Sequence, residues 1–169
     1  MYEDKLYIYG GLDIQKGNLD SLWQFDLKQL SLLEGVEGPD KETCCWKLIE
    51  QHGARNAMPG PVAYHSSVVY KEHMFLFGGN NYGQTISLHL NAAPTYQPLF
   101  QLSMRTFAWA QVRGRGDEVK PRDEHSAVLD ESSGTMIIFG GFAEGERTNE
   151  VCLYNIQKNI WSRTKQEHG

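Results

Sequence analysis

At 169 residues the chain has the length of one ordinary domain, and 40% hydrophobic with 22% charged residues is a globular rather than a disordered balance. A formal net charge of -5 makes nucleic acid or an anionic membrane an unfavoured partner. No window approaches the roughly 18 apolar residues of a membrane span, and the start, MYEDKLYIYGG, lacks the basic region and long apolar core of a signal peptide.

Cys44, Cys45 and Cys152 are an odd set that includes sequence neighbours, which argues for a reducing compartment, cytoplasm or nucleus, rather than a disulfide scaffold. In chain order, KLYIYGG reads as a strand stopped at Gly10 and Gly11. The loop LDIQKGNLD leads to alternating LDSLWQFDL, then to the insertion KQLSLLEGVEGPDKET and a strand in CCWKLIE around Trp46. After the link EQHGARNAMPGP, the run PVAYHSSVVYKEHMFLFGG carries one strand around His65 and a second into Gly78 and Gly79. NNYGQT, the alternating QTISLHLN, the insertion NAAPTYQPLFQLSMRT and FAWAQVR around Trp109 follow. The link VRGRGDEVKPRD opens PRDEHSAVLDESSGTMIIFGG, with His125, Gly140 and Gly141, and FAEGERTNE, TNEVCLYNI and NIWSRTK around Trp161 complete the chain.

These segments repeat. Pro61 and Pro121 each stand four positions before a His-Ser pair, each Gly-Gly is followed by a polar loop and an alternating segment, and each unit closes on a tryptophan. The unit is four short strands with no amphipathic helix between them, and a four-stranded repeat of about 50 residues is the pattern of a propeller blade. Through the Gly-Gly pairs, the closing Trp and the Pro-x-x-x-His-Ser entry, the chain resembles the kelch-repeat β-propeller family, of which the galactose oxidase central domain is one form. The expected fold is all-β: about three four-stranded antiparallel blades, open rather than closed, the first lacking its inner strand. Residues 1–60 are expected to form blade 1, 61–120 blade 2 and 121–169 blade 3, with insertions between strands three and four of the first two. The arginine that the family carries before the His is present as Arg122, whereas the second unit has Val62. In this architecture paired glycines let backbone approach backbone and supply positive φ, and the tryptophan fills the space between blades.

A propeller closes with about 4–8 blades. Three explanations remain open: the chain is part of a longer kelch protein, it is a short chain completed by a partner, or two copies pair. Open blade edges invite self-association.

Antiparallel order puts the loops after strand two and the inter-blade links on one face, which kelch relatives commonly use to hold a partner. On it Arg55, Asn80, Asn81, Tyr82, Arg113, Arg115, Glu146 and Arg147 are candidates to read a charged peptide, against the plainer reading of solvated loop residues. The apolar stretches SLLEGVEG and PTYQPLFQLSM of the insertions are expected to fold back over outer strands rather than to form a second contact surface, the other reading.

His65 and His125 recur at one repeat position and are expected to be structural, while His52, His73, His89 and His168 show no metal-ligand spacing. No metal site and no cofactor is expected. The copper and iron sets of enzymatic propeller relatives cannot be assembled, and no nucleophile elbow or phosphate-cradling loop is present. The Cys44–Cys45 pair reads as strand packing.

The reading is a non-enzymatic protein-interaction module, scaffold or adaptor, with a protein or peptide partner, no nucleic acid and no membrane. The resemblance also allows part of a kelch-type enzyme or its regulatory domain, and a structural spacer is the third reading. No BTB-type helical region is visible, so a ubiquitin-ligase adaptor role would need sequence outside this chain.

Overall fold

The structure, a computed structural model, describes residues 1–29, 45–80 and 99–164. Short β-branched and aromatic runs form strands there, each stopped by turn residues. The first sheet takes β1 (Lys5–Tyr9), skips a small hairpin of β2 (Leu12–Asp13) and β3 (Gly17–Asn18), and continues with β4 (Leu22–Asp26) and β5 (Trp46–Ile49). A 3-10 turn at Arg55–Ala57 leads to the second sheet: β6 (Ala63–Tyr70), β7 (His73–Asn80), β8 (Leu99–Ser103) and β9 (Trp109–Val112). The third sheet begins at its outer edge with β10 (Arg115–Gly116), then takes β11 (Ser126–Asp130) and β12 (Thr135–Phe139). A second hairpin of β13 (Phe142–Ala143) and β14 (Glu146–Arg147) precedes β15 (Val151–Asn155) and β16 (Ile160–Arg163). The three sheets are antiparallel meanders, except that β10 runs parallel to β16. This is an open propeller segment in which, among the described residues, β1 is the innermost strand of the first sheet.

The register aligns the sheets with one another. Tyr9 pairs with Leu22, Phe77 with Leu99 and Phe139 with Val151; at the other end Phe25 pairs with Trp46, Leu102 with Trp109 and Tyr154 with Trp161. The three tryptophans therefore hold one structural position. Their burial differs: Trp109 and Trp161 are 4% and 1% exposed, whereas Trp46 is half-buried against Phe25. Each buried ring meets the aromatic residue before the glycine pair of the preceding sheet, Tyr9 for Trp109 and Phe77 for Trp161. Among the described residues no sheet stands before that of Trp46.

The spacing from strand three to the tryptophan corrects one expectation. Leu102 to Trp109 and Tyr154 to Trp161 are both separated by a tight hairpin, so the third strand of the second sheet is Leu99–Ser103. It lies inside the segment expected to be an insertion, and the long connection of this sheet, residues 81–98, joins β7 to β8 rather than strands three and four. The segment expected to be that strand, QTISLHLN, lies outside the described residues. LFQLS places Leu99 and Leu102 in the core, at 0% exposure, within hairpin reach of Trp109. In the first sheet the long connection joins β4 to β5.

Two cores result, one in each gap between sheets. Tyr9, Leu22, Ile49, Met74, Leu76, Leu102 and Trp109 fill the first; Phe75, Phe77, Leu99, Met136, Ile138, Tyr154 and Trp161 fill the second. Strand β7 lies between them and is buried on both faces, which is why Met74–Phe77 reads as a continuous apolar run. Each fully buried large side chain contributes on the order of 1.5–3 kcal/mol relative to exposure. The outer faces of the end sheets are also apolar but uncovered, with Ile8 and Leu48 on one and Val128 and Phe139 on the other exposed.

The paired glycines divide two tasks. A Cβ on Gly78, at φ +67°, would lie 2.2 Å from the Arg122 carbonyl oxygen of the third sheet, and the Gly79 amide donates to that same oxygen at 2.9 Å. A Cβ on Gly79, at φ +86°, would instead collide with Ala63, Val62 and His65 of its own inner strand. The first glycine admits the neighbouring sheet and the second admits the strand beside it.

Candidate binding face

The inner strands meet through a repeated hydrogen-bonding pattern. Ser66 Oγ and His125 Nε2 lie 2.7 Å apart across the gap between β6 and β11. Burial first, then the nearby charge of Arg122 and of His65, depress His125 to about 4, so it is neutral at physiological pH. Burial also lowers His65, opposed by a hydrogen bond with the Tyr9 backbone. Both rings sit edge-on to an aromatic residue of the preceding sheet, His65 to Tyr9 and His125 to Phe77.

One residue before each histidine the backbone enters the left-handed region, at Tyr64 (φ 59°) and Glu124 (φ 54°). A bulky residue there is unusual, and a cross-sheet bond from the Glu124 amide to the Tyr64 carbonyl at 3.0 Å helps to hold it. Both side chains are exposed, and Arg147 of the β13–β14 hairpin pairs with Glu124 at 3.3 Å. Beneath this rim Arg122 is 3% exposed and bridges to Glu150 at 2.5 Å, with Arg163 on the other carboxylate oxygen at 3.0 Å. Burial alone would raise Glu150, but hydrogen bonds from Arg122 and Cys152 and the charges of Arg122 and Arg163 hold it below its usual value. Val62 takes the Arg122 position in the second sheet; it is buried, and its carbonyl oxygen accepts from Gly11 as that of Arg122 accepts from Gly79. The backbone contact is thus repeated while the ion pair is not.

The loops of the three sheets are tied together at this end. Asn18 donates to the Asn80 carbonyl at 2.7 Å, the Asn80 amide donates to the Asp123 carboxylate, and Lys120 pairs with Glu144.

The expected site residues divide accordingly. Arg147 and the exposed Glu146 share the β13–β14 hairpin, and Asn80 is 8% exposed and engaged within the loop network rather than free to read a ligand. Arg55 is exposed on the 3-10 turn packed near β9, while Arg115 lies on the outer edge of the third sheet and reaches the Lys158 carbonyl at 3.4 Å. Arg113 lines a groove between the second and third sheets. Asn81 and Tyr82 lie outside the described residues. The structure therefore groups Arg147, Glu146 and Asn80 with the rim and not Arg55, Arg113 or Arg115. It adds Tyr64, Glu124, Asn18 and Asp123, of which the first two share one place in the Pro-x-x-x-His-Ser entry and were open to recognition as a recurring pair.

Among the described residues no three His, Cys, Asp or Glu side chains gather as a metal-binding set, and no helix is long and apolar enough to cross a membrane. Burial raises the Cys152 thiol to about 12, which leaves it protonated.

Comparison with known proteins agrees with this geometry. The chain is 23% identical over 165 residues to human "Leucine-zipper-like transcriptional regulator 1", covering 95% of this chain and 17% of that protein. It is 25% identical over 166 residues to "Acyl-CoA-binding domain-containing protein 5" of Arabidopsis thaliana, covering 96% and 21%. A third relative, "Rho GTPase-activating protein gacHH" of Dictyostelium discoideum, is 27% identical over 165 residues, covering 92% and 10%. The chain thus spans about a sixth of the relatives first named. A profile of the Attractin/LZTR1 beta-propeller matches residues 1–169. The matches support a kelch-type propeller and not the narrower likeness to galactose oxidase. The chain belongs to the Attractin/LZTR1 beta-propeller family.

Proposed function

We propose that this propeller segment is a non-enzymatic protein-interaction module that holds a protein partner at the loop end of its sheets. The observation that carries this reading is the repeated left-handed backbone at Tyr64 and Glu124, which turns two exposed side chains outward beside Arg147. Backbone strain of this kind is maintained where it positions groups for use, and rigid sheets beneath the rim lower the entropy lost on binding. The relatives support the class of function in a second way. Their names speak of transcriptional regulation, acyl-CoA binding and GTPase activation, and each shares only a fraction of its length with this chain. A module common to proteins of such different activities suits recognition better than one fixed chemistry. A cytoplasmic or nuclear setting, suggested by the cysteine usage, belongs to the same proposal.

The test is affinity capture from cell extract by the immobilised chain and by a Tyr64→Ala/Arg147→Glu variant, quantified by mass spectrometry at low and high salt. Proteins held by the wild type should be lost from the variant and should weaken with salt. Equal recovery on both would overturn the loop-end assignment.

A further inference from the structure

A groove of about 480 Å³ runs between the second and third sheets, and its lining includes the Tyr70–Lys71 turn and the Ile156–Asn159 turn. These turns join strands one to two and three to four, at the end opposite the loop rim, and from them the groove extends to Gln111, Val112 and Arg113 along the outer strand of the second sheet. Phe75 and Tyr154 form part of its wall, with ring centroids 6.3 Å apart.

The corresponding place in the first gap holds an aromatic ring. There Phe107 precedes the Trp109 strand, packs against the first core and stands 6.3 Å from Tyr7. Asn159 occupies the matching position before Trp161, with nearly the same backbone (φ 54° against 53°). The small amide turns aside, accepting from Tyr154 Oη at 2.8 Å and donating to the Arg113 carbonyl at 3.0 Å. One gap is therefore plugged by the chain's own aromatic ring, and the other is left open at the same point.

The electrostatics of the opening select a sign. Lys71 and Arg113 line it, together with several side-chain amides, and no Asp or Glu does, although the chain as a whole carries 21 acidic against 16 basic residues. A volume of this size suits one large side chain with its flanking backbone.

We propose that this groove is a second docking site, separate from the loop rim, for an acidic protein segment that inserts one aromatic side chain. The inserted ring takes in the second gap the place that Phe107 takes in the first. Carboxylates beside it pair with Lys71 and Arg113, and the amide of Gln101 is available to its main chain, while Gln157 Nε2 already donates to Tyr70 Oη in the wall.

The probe is a fluorescein-labelled heptapeptide with a central phenylalanine flanked by glutamates, followed by fluorescence anisotropy on the full chain. Saturable binding is expected, weakened at least tenfold when the centre becomes alanine and when the flanks become glutamine. Lys71→Glu/Arg113→Glu, both at exposed positions, should reduce affinity at least tenfold while the thermal melt stays in place. Asn159→Phe should plug the groove and do the same, whereas Arg147→Ala at the loop rim should bind as the wild type. Failure to saturate, equal binding of the glutamine-flanked peptide, or unchanged affinity in the charge-reversed variant would each overturn the proposal. Loss of binding in Arg147→Ala alone would also overturn it, by placing the peptide on the other face.

Discussion

Phe77, the residue before the second glycine pair, meets Trp161 of the following sheet with ring centroids 5.3 Å apart, as Tyr9 meets Trp109 at 5.0 Å one sheet earlier. The contact lies at the centre of each core, and its repetition identifies what joins one sheet to the next. Removing either ring opens a space that the packed strands on both sides cannot collapse to fill.

Trp161→Ala is therefore expected to lose roughly 3–5 kcal/mol, the usual effect of deleting a fully buried large ring. Trp46→Ala, at the same repeat position but half-buried, should lose no more than about 1.5 kcal/mol. Denaturant unfolding of the two variants measures the difference; equal losses would show that position in the repeat outweighs coverage by a neighbouring sheet.

The glycine pairs make a similar contrast. Gly78→Ala combines a left-handed φ with a Cβ 2.2 Å from the Arg122 carbonyl, whereas at Gly140, with φ +68°, the Cβ meets only the Thr148 carbonyl at 3.1 Å. Both variants carry the roughly 1–2 kcal/mol strain of a left-handed L-residue. Only Gly78→Ala should also push the second and third sheets apart, and its midpoint should fall well below that of Gly140→Ala.

His125 sets a pH dependence. Its folded value of about 4 lies below the ordinary 6.5, so between those values the unfolded chain binds a proton that the folded chain refuses. Stability should fall as pH drops from about 6.5 toward 4, with up to one proton of slope from His125 and a further share from the lowered His65. Unfolding free energies across this range check it, and His125→Gln should flatten the profile. A profile unchanged by that substitution would reassign the effect.

The two arginines of the third sheet should behave differently. Arg122 is buried against Glu150, so Arg122→Ala leaves a partly buried carboxylate short of its main partner and should cost about 3–5 kcal/mol. Arg147 pairs with Glu124 at the surface, and Arg147→Ala should stay within about 1 kcal/mol while affecting partner binding. Comparison of melting temperature with partner capture separates the two roles.

Residue order alone determined the repeat: the Gly-Gly stops, the His-Ser entries at His65 and His125, and the tryptophans at Trp46, Trp109 and Trp161 all mark features that local backbone conformation and side-chain size demand. It also implied the open, all-β propeller segment, because four short strands per unit leave few other ways to bury both apolar faces. Residue order did not place the third strand of the second sheet, since QTISLHLN alternates more regularly than LFQLS and only hairpin register with Trp109 identifies the latter. Nor did it separate buried Trp161 from half-buried Trp46, because coverage depends on which sheet stands next to each. At the candidate site it marked Arg147 but not Glu124 or Tyr64, whose outward turn comes from a backbone conformation imposed by bonds between sheets. The groove shows the same limit: Phe107 and Asn159 are unremarkable as letters, and only the superposed register of two sheets makes one a plug and the other an opening.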